Sequence, residues 1–556
     1  MTRRRLLVAA ATALALLAPL LLDRLFPPDM GRYRDASVEV QDRSGRLLRA
    51  YLSGDHAWRL ATGPEDVDPR YLRLLLAYED KRFDLHPGVD PLAIARAVGQ
   101  WLTAGRPVSG GSTITMQAVR LLEPRPRTLR SKLIEVVRAA QLEWRYSKRD
   151  ILGIYLTLAP FGGNLEGVRA AALSYFGKEP AHLTDAQAAL LVALPQSPTR
   201  RRPDRHPAAA RAAQLRVIDR LAGAGALTAQ AVAEAREDAG RQALARRPFP
   251  RAAEHLADRL KASSPPGAVL RSSLAGGLQA TAESLLRREA AWLRDGAAIA
   301  ALVIENADAK VRAYVGGQDY FGPAGMLDLA RAQRSPGSTL KPFIYALGFD
   351  DRIVHPETQI LDRPTQFGGY APANFDGRFH GLVTIREALQ GSLNVPAVAV
   401  LDRVGPQRLA SMLRDAGASL AFPETGTPPS LALALGGVGI SLSDMAMLYR
   451  GLASGGIVRP LSFLEVAPEG MAGHRLASPR AAWLVGDILR GTPVPDTVAH
   501  ATAVDRREIA YKTGTSYGYR DAWAVGWSAS YTVAVWVGRS DGTPRAGVLG
   551  RDAAAP

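Results

Sequence analysis

Apolar residues recur at two different spacings along the chain, and the change of spacing divides it into two parts. In 71–83, 128–146 and 184–194 they repeat every three or four residues, which predicts amphipathic helices. Further on, AIAALVIE (298–305) and TVAVWVG (532–538) are short aliphatic or aromatic runs suited to strands. The pattern therefore predicts a mainly α first part and a mixed α and β second part.

The N-terminus carries a third pattern, in which three arginines (3–5) precede an uncharged apolar run at 6–22. These seventeen residues are near the lower limit for a helix that crosses a bilayer. Because no small-x-small cleavage site follows the run, an uncleaved anchor is favoured over a cleaved signal peptide. Since arginines stay on the cytoplasmic side, we predict a single-pass inner-membrane protein with a short cytoplasmic N-terminus and periplasmic domains.

The patterns divide the chain into four predicted segments. Residues 1–30 form the tail and transmembrane anchor, 31–240 the helical domain, 241–267 a linker rich in proline and charge, and 268–556 the mixed domain. The absence of cysteine excludes thiol catalysis, thiolate metal sites and disulfides. The net charge of +16 fits an anionic partner such as a phospholipid surface or a phosphorylated substrate, and a location outside the cytoplasm argues against nucleic acid.

The second half contains a serine and a lysine three residues apart, in RSPGSTLKPF (334–343). On a helix Ser338 and Lys341 would share one face, where a lysine of lowered pKa could take the proton of a serine nucleophile. A lone Ser-x-x-Lys is common by chance, but SLN at 392–394 and KTGT at 512–515 follow it. SLN offers a hydroxyl that relays protons, and KTGT offers a cation for a substrate carboxylate.

The three motifs together resemble those of the penicillin-recognising serine enzymes, over about residues 270–545. The resemblance implies a serine beta-lactamase-like α/β sandwich, with the backbone N–H groups of Ser338 and Thr515 as an oxyanion hole. The region 423–437 lacks the Glu-x-x-Leu-Asn segment of class A beta-lactamases, which favours acyl transfer to an amine over hydrolysis. The implied catalytic residues are Ser338, Lys341, Ser392, Asn394 and Lys512, and the implied substrate-binding residues are Thr513, Gly514 and Thr515.

Four motifs of the first half follow one another in a family order: AYEDKRFDLHPGVD (77–90), GGSTITMQAVR from 110, RSKLIE ending at 135 and RYSKRDIL from 145. They resemble the glycosyltransferase domain of the bifunctional class A penicillin-binding proteins, and the resemblance then covers about residues 30–550. It implies a lysozyme-like, mainly α domain that polymerises lipid II with inversion and releases undecaprenyl diphosphate. The second domain would cross-link stem peptides by D-Ala-D-Ala transpeptidation.

Residue by residue, the resemblance makes Glu79 the base that deprotonates the acceptor 4-hydroxyl. Since diphosphate is already a good leaving group, Glu135 is expected to orient substrate or position cations rather than act as a general acid. Lys132 is expected to neutralise the diphosphate. Two positions depart from the family, because Arg120 stands where lysine is frequent and Ser131 replaces an arginine. The further implied substrate-binding residues are Thr113, Gln117 and Arg120.

The resemblance also sets the expected ligands. Lipid II and nascent glycan strands are the substrates, beta-lactams the inhibitors and other cell-wall synthesis proteins the partners. No tightly bound cofactor is expected, although Mg²⁺ or Mn²⁺ could assist the diphosphate. No metal site in the protein is predicted, since His86 with Asp84 and Asp90 matches no standard zinc spacing and a hydrogen-bonded structural histidine is favoured.

One alternative function and one structural expectation concern the second domain. It could be a binding or sensing module without transpeptidase activity, attached to an active glycosyltransferase. The printed sequence also ends soon after TVAVWVG, where the family continues with a helix against the sheet. We therefore expect a domain that is truncated at its C-terminus and leaves one sheet face uncovered.

Overall fold

The computed structural model describes residues 23–96, 111–126, 128–293, 295–423, 426–466, 472–495 and 509–556. The chain forms two compact units. The first comprises the residues up to Glu39, Ala50–Pro250 and Ser264–Val269, and the second comprises Val40–Arg49, Arg251–Ser263 and Leu270–Pro556. The segment 241–267, predicted to be a linker, contributes to both units, and its middle forms the helix Glu254–Ala262.

Helices dominate the first unit, as the three- and four-residue spacing predicted. Polar caps begin several of them: Asp68, Thr113 and Thr128 each accept a hydrogen bond from a backbone N–H of the first turn. The helices are Gly31–Arg34, Pro69–Glu79, Ile114–Leu122, Leu129–Arg145, Lys148–Leu158, Val168–Phe176, Asp185–Ala193, Pro207–Gly223 and Ala229–Arg241. A small sheet contains the strands Trp58–Arg59, Leu165–Glu166 and Pro160–Gly162, in that order.

The predicted anchor at 6–22 lies outside the described residues. Within the described ranges, no helix combines the length and the apolarity that crossing a bilayer requires. The residue that follows the apolar run, Asp23, pairs with the helix Leu129–Arg145: Gln141 Nε2 donates to its Oδ1 at 3.0 Å, and Arg145 Nη2 lies 2.7 Å from its Oδ2.

A five-stranded antiparallel sheet forms the centre of the second unit. The two runs that predicted strands are adjacent in it, paired from Ala298 opposite Gly538 to Glu305 opposite Tyr531. This confirms the prediction of a mixed α and β domain. The strands lie in the order Ala510–Thr515, Asp521–Trp527, Tyr531–Gly538, Ala298–Glu305 and Val311–Val315.

Helices pack against both faces of this sheet. On one face Leu302, Trp523 and Trp536 are fully buried in the main core of the unit, against the helix Leu442–Ala453. The helices of the unit are Glu254–Ala262, Gly276–Leu293, Lys341–Asp350, Ile385–Gln390, Asn394–Val404, Pro406–Asp415, Leu442–Ala453, Pro479–Arg490 and Gly550–Ala553. Two small hairpins pair Gln359–Asp362 with Gly381–Thr384 and Ile457–Val458 with His474–Arg475. The remaining strands are Glu39–Gln41, Leu47–Ala50 and Val269–Arg271.

The other face of the sheet, for which the sequence predicted too little cover, packs against two elements. The helix Gly276–Leu293 contributes Leu286 to a second apolar cluster with Ile299 and Val537. The short helix Gly550–Ala553 packs on the strand Asp521–Trp527, and Ala554 is buried in the same cluster. These contacts leave part of the face open, since Tyr531 and Val533 are about 40% exposed.

Candidate active sites

Glu79 ends the helix Pro69–Glu79 and is half-buried. Gln117 Nε2 donates to its Oε2 at 3.0 Å, and Gln196 Nε2 donates to its Oε1 at 2.9 Å. Gln117 is one of the predicted site residues, whereas Gln196 was missed. Gln196 lies in the segment LPQSPTRR, which follows the buried helix Asp185–Ala193. The segment has no periodic pattern, so the sequence did not indicate that its glutamine would reach Glu79. Both oxygens of Glu79 therefore accept hydrogen bonds from neutral amides.

The other charges of 77–90 build the surroundings of Glu79. Asp80 is buried and accepts hydrogen bonds from His86 Nε2 at 3.0 Å and from the backbone N–H of Ile114 at 2.9 Å. A carboxylate at the start of the helix Ile114–Leu122 is also favoured by the helix dipole. Asp90 pairs with Arg82 at 2.6 Å. His86 is thus a buried, hydrogen-bonded structural histidine, as favoured from the sequence.

Glu135 lies on the helix Leu129–Arg145 and is only 7% exposed. Arg120 binds both of its oxygens, at 2.7 and 3.0 Å, and Lys132 Nζ binds Oε2 at 2.9 Å. Burial alone would raise the pKa of Glu135, but these hydrogen bonds and positive charges outweigh burial and hold the pKa below its usual value. Glu135 is therefore an ionised carboxylate that fixes two cations.

Two hydroxyls of the second motif have partners within the protein. Thr113 is 2% exposed, donates to the carbonyl of Gly88 at 2.6 Å and accepts the N–H of Met116 at 3.1 Å. Ser112 Oγ accepts a hydrogen bond from Lys132 Nζ at 2.9 Å. Thr113 thus caps its helix, and its contact with substrate stays a prediction.

In the second unit, Ser338 lies in a 3₁₀ turn, Gly337–Leu340, that leads into the helix Lys341–Asp350. Lys341 is fully buried and donates to the carbonyl of Ser392 and to Asn394 Oδ1, both at 2.6 Å. Burial, and then the charge of the neighbouring Lys512, lower its pKa well below the usual lysine value. Lys341 therefore gives up its proton more readily than an ordinary lysine, as a general base requires.

Lys512 lies on the edge strand Ala510–Thr515 and is 2% exposed. Its Nζ donates to Ser392 Oγ at 2.8 Å, while Lys341 Nζ lies 3.4 Å from the same oxygen. Burial lowers the pKa of Lys512 to about 7. Ser392 has a φ of 57°, in the left-handed region that few residues other than glycine adopt, and this conformation holds its hydroxyl between the two lysines.

Glycines let the edge strand approach the turn that carries the serine. A Cβ on Gly337, whose φ is 53°, would lie 2.4 Å from the carbonyl oxygen of Thr515. A Cβ on Gly514 would lie 2.4 Å from the carbonyl oxygen of Pro336, and one on Gly436 would lie 2.4 Å from the Gly337 nitrogen. The contacts bring the backbone of Thr515 beside the serine turn, where its N–H and that of Ser338 could bind one oxyanion.

The remaining predicted residues of KTGT also lie at this edge. Thr513 and Thr515 are half-buried, and Thr515 Oγ1 accepts the N–H of Gly550 at 3.0 Å. Their contacts with substrate stay predictions.

Comparisons with known proteins match a different family to each half of the chain. The transglycosylase family model matches residues 44–222, and the penicillin binding protein transpeptidase domain matches 299–547. The chain is 42% identical to penicillin-binding protein 1C of Escherichia coli (strain K12), over 99% of this chain and 70% of that protein. It is 30% identical to penicillin-binding protein 1F of Bacillus subtilis (strain 168), over 90% of this chain and 73% of that protein.

A solved structure shares the fold. The crystal structure of penicillin-binding protein 1A from Haemophilus influenzae aligns with a TM-score of 0.54, over 93% of this chain and 90% of that chain, at 16% identity. The two matched domains and the identity to the Escherichia coli protein show the family. The chain belongs to the class A penicillin-binding proteins, and its two units have peptidoglycan glycosyltransferase and transpeptidase activity.

Proposed function

We propose that the first unit polymerises lipid II with Glu79 as the base and Glu135 as the residue that positions cations. The observation that carries this proposal is the contrast between the two carboxylates. Neutral amides hold Glu79, and no cation within the described residues pairs with it, whereas Arg120 and Lys132 neutralise Glu135. Carboxylates in such different environments take different chemical roles.

In this mechanism Glu79 removes the proton of the acceptor 4-hydroxyl as the oxygen attacks the anomeric carbon. The bond to the lipid diphosphate breaks on the opposite face, which inverts the configuration. Arg120 and Lys132 would meet the negative charge that develops on the departing diphosphate. Further substrate contacts are proposed for Gln117 and Thr113.

We propose that a divalent ion, where one assists the reaction, is bound by the substrate rather than by the protein. The described residues contain no group of three or more carboxylate or imidazole side chains that could bind one. Any Mg²⁺ or Mn²⁺ that assists the reaction would be bound by the phosphates of the substrate. Addition of a chelator to a polymerisation assay tests this proposal.

For the second unit we propose a serine acyl-enzyme. Ser338 would attack the D-Ala-D-Ala carbonyl while Lys341 takes its proton, and Ser392 would pass a proton to the departing D-alanine. Lys512 would attract the terminal carboxylate of the donor peptide. An amine of a second stem peptide would then attack the acyl-enzyme, forming the cross-link and restoring Ser338. Substrate contacts of Asn394, Thr513, Gly514 and Thr515 complete the proposed site.

This assignment predicts a bell-shaped pH dependence for acylation of Ser338. Lys341 is a base only when neutral, so the rate constant rises with pH until that lysine is deprotonated. Lys512 attracts a carboxylate only when charged, and because its pKa is about 7, the rate constant falls as the pH rises above that value. The measurement is the second-order rate constant for labelling by a fluorescent penicillin, across the titration range of both lysines.

The matched control for this profile is Lys512→Arg. A guanidinium stays charged throughout the range, so the alkaline limb should disappear whatever the overall rate of the variant. An alkaline limb that persists in Lys512→Arg would contradict the role given to Lys512.

We also propose that the protein is anchored in the inner membrane and that the first unit rests on the lipid. One face of the helix Leu129–Arg145 exposes apolar side chains: Leu129 at 87%, Leu133 at 70%, Val137 at 65% and Trp144 at 74%. Exposed apolar stripes of this kind are typical of surfaces that contact lipid or another protein. Asp23, the residue after the apolar run, binds the same helix.

We expect the double change Leu133→Glu and Val137→Glu to reduce glycan polymerisation in proteoliposomes but not in detergent micelles. The reason is that the apolar face of the helix has to contact a bilayer only in proteoliposomes. Ala233→Glu, at an exposed position of the helix Ala229–Arg241, is the control. Equal activity of the double variant and the control in proteoliposomes would argue against the membrane contact.

A further inference from the structure

A buried asparagine outside the three motifs contacts the motif residue Asn394. Asn374 lies in the hairpin connection 363–380 and is 5% exposed. Its Oδ1 accepts a hydrogen bond from the backbone N–H of Asn394 at 2.8 Å. Asn394 begins a helix whose N-cap residue, Leu393, has no capping side chain. Asn374 therefore supplies the cap from a distant part of the chain.

The orientation of the Asn374 amide is set by its other partners. Its Nδ2 donates to Asp362 Oδ2 at 2.7 Å and to the carbonyl of Arg378 at 2.8 Å. Both partners only accept hydrogen bonds, so they must face the amide nitrogen, and the amide oxygen is left for Asn394.

Asp362, the partner of the Asn374 amide, is a buried carboxylate with one unpaired oxygen among the described residues. It is 0% exposed, and its Oδ2 also accepts the backbone N–H of His380 at 2.8 Å. Its second oxygen, Oδ1, has no hydrogen-bond partner among the described residues. An unpaired buried carboxylate oxygen costs free energy, so a residue that served packing alone would be apolar.

The backbone beside Asn374 completes the contact. Asn394 Nδ2 donates to the carbonyl of Ala373 at 2.7 Å. Asn394 is thus held by its backbone N–H and by its side-chain NH₂, and its remaining side-chain atom, Oδ1, accepts the hydrogen bond from Lys341 Nζ at 2.6 Å. The location of the base therefore depends on the hairpin connection.

We infer that Asn374 and Asp362 are positioning residues of the transpeptidase, which hold Asn394 and, through it, Lys341 and Ser392 in the arrangement that acylates Ser338. The inference rests on the function proposed for the second unit. Neither residue contacts substrate or the reacting atoms in this scheme.

Exchanging the two side chains tests the inference. Asn374→Asp puts a carboxylate against Asp362 and the Arg378 carbonyl, and the repulsion should displace Asn394. We expect the second-order rate constant for penicillin labelling of Ser338 to fall about tenfold to a hundredfold, as misplacement of catalytic groups typically causes. Adding Asp362→Asn lets the amide at position 362 donate to the carboxylate at position 374 and should recover part of the loss, since the Arg378 carbonyl and the His380 N–H stay without partners. Asp362→Asn alone keeps an oxygen that can accept both hydrogen bonds but puts an NH₂ where Oδ1 has no partner among the described residues, so a smaller fall than for Asn374→Asp is expected.

Rate constants are compared only for the fraction of protein that labels at saturation, and thermal unfolding is followed in parallel. Glycan polymerisation from lipid II should be equal in all variants. The inference is overturned if Asn374→Asp melts at a lower temperature but labels at the wild-type rate, or if the exchanged pair labels no faster than Asn374→Asp. A wild-type protein that does not label at Ser338 would contradict the transpeptidase function itself and overturn the inference with it.

Discussion

Glu79→Gln is expected to stop glycan polymerisation and to leave penicillin labelling of Ser338 unchanged. Glutamine keeps the size of the side chain but cannot accept the proton of the acceptor hydroxyl. General base catalysis contributes about 10²–10⁴-fold, so the rate should fall by at least a hundredfold. The measurement is the formation of glycan strands from labelled lipid II, resolved by length.

Glu135→Gln is the matched variant for this experiment. It removes a carboxylate of the same unit but leaves Arg120 and Lys132 in place, so misoriented cations should reduce polymerisation less than the loss of the base does. Penicillin labelling of both variants shows that the second unit is intact. If the Glu79→Gln protein polymerises lipid II at the wild-type rate, Glu79 is not the base.

Ser338→Ala is expected to abolish both penicillin labelling and peptide cross-links while glycan strands still form. The variant lacks the hydroxyl that forms the acyl-enzyme, and the buried lysines have no other nucleophile to activate in the proposed mechanism. The measurement is the amount of cross-linked muropeptide made from lipid II, after digestion of the glycan, beside the amount of glycan.

The same experiment separates a transpeptidase from a binding module. If the wild-type protein takes up penicillin at Ser338 but makes no cross-links that the Ser338→Ala variant lacks, the second unit would bind peptides without transferring them. Cross-links that persist in Ser338→Ala would place the nucleophile elsewhere.

Local spacing predicted the parts of the sites that lie on one element. Ser338 and Lys341 are three residues apart, and the 3₁₀ turn that carries Ser338 runs directly into the helix that begins at Lys341. Lys132 and Glu135 are likewise three residues apart on one helix, and they form an ion pair at 2.9 Å. The aliphatic run 298–305 predicted a strand, and this strand is paired on both of its edges within the sheet.

Contacts between distant segments could not be predicted in this way. Gln196 is 117 residues from Glu79, and Asn374 is 20 residues from Asn394, yet each binds its partner directly. No periodicity encodes such pairs, because each depends on how separate elements pack. The resemblance also implied Thr113 as a substrate contact, without revealing that its hydroxyl donates to the Gly88 carbonyl and accepts the N–H of Met116.

The close contacts of Gly337, Gly436 and Gly514 have a consequence for antibiotic resistance. Each would place a Cβ 2.4 Å from a backbone atom, so even a methyl group would shift the turn that carries Ser338. Substitution of any of these glycines should therefore impair cross-linking as well as acylation by a beta-lactam. Selection on a beta-lactam should therefore leave the three glycines invariant.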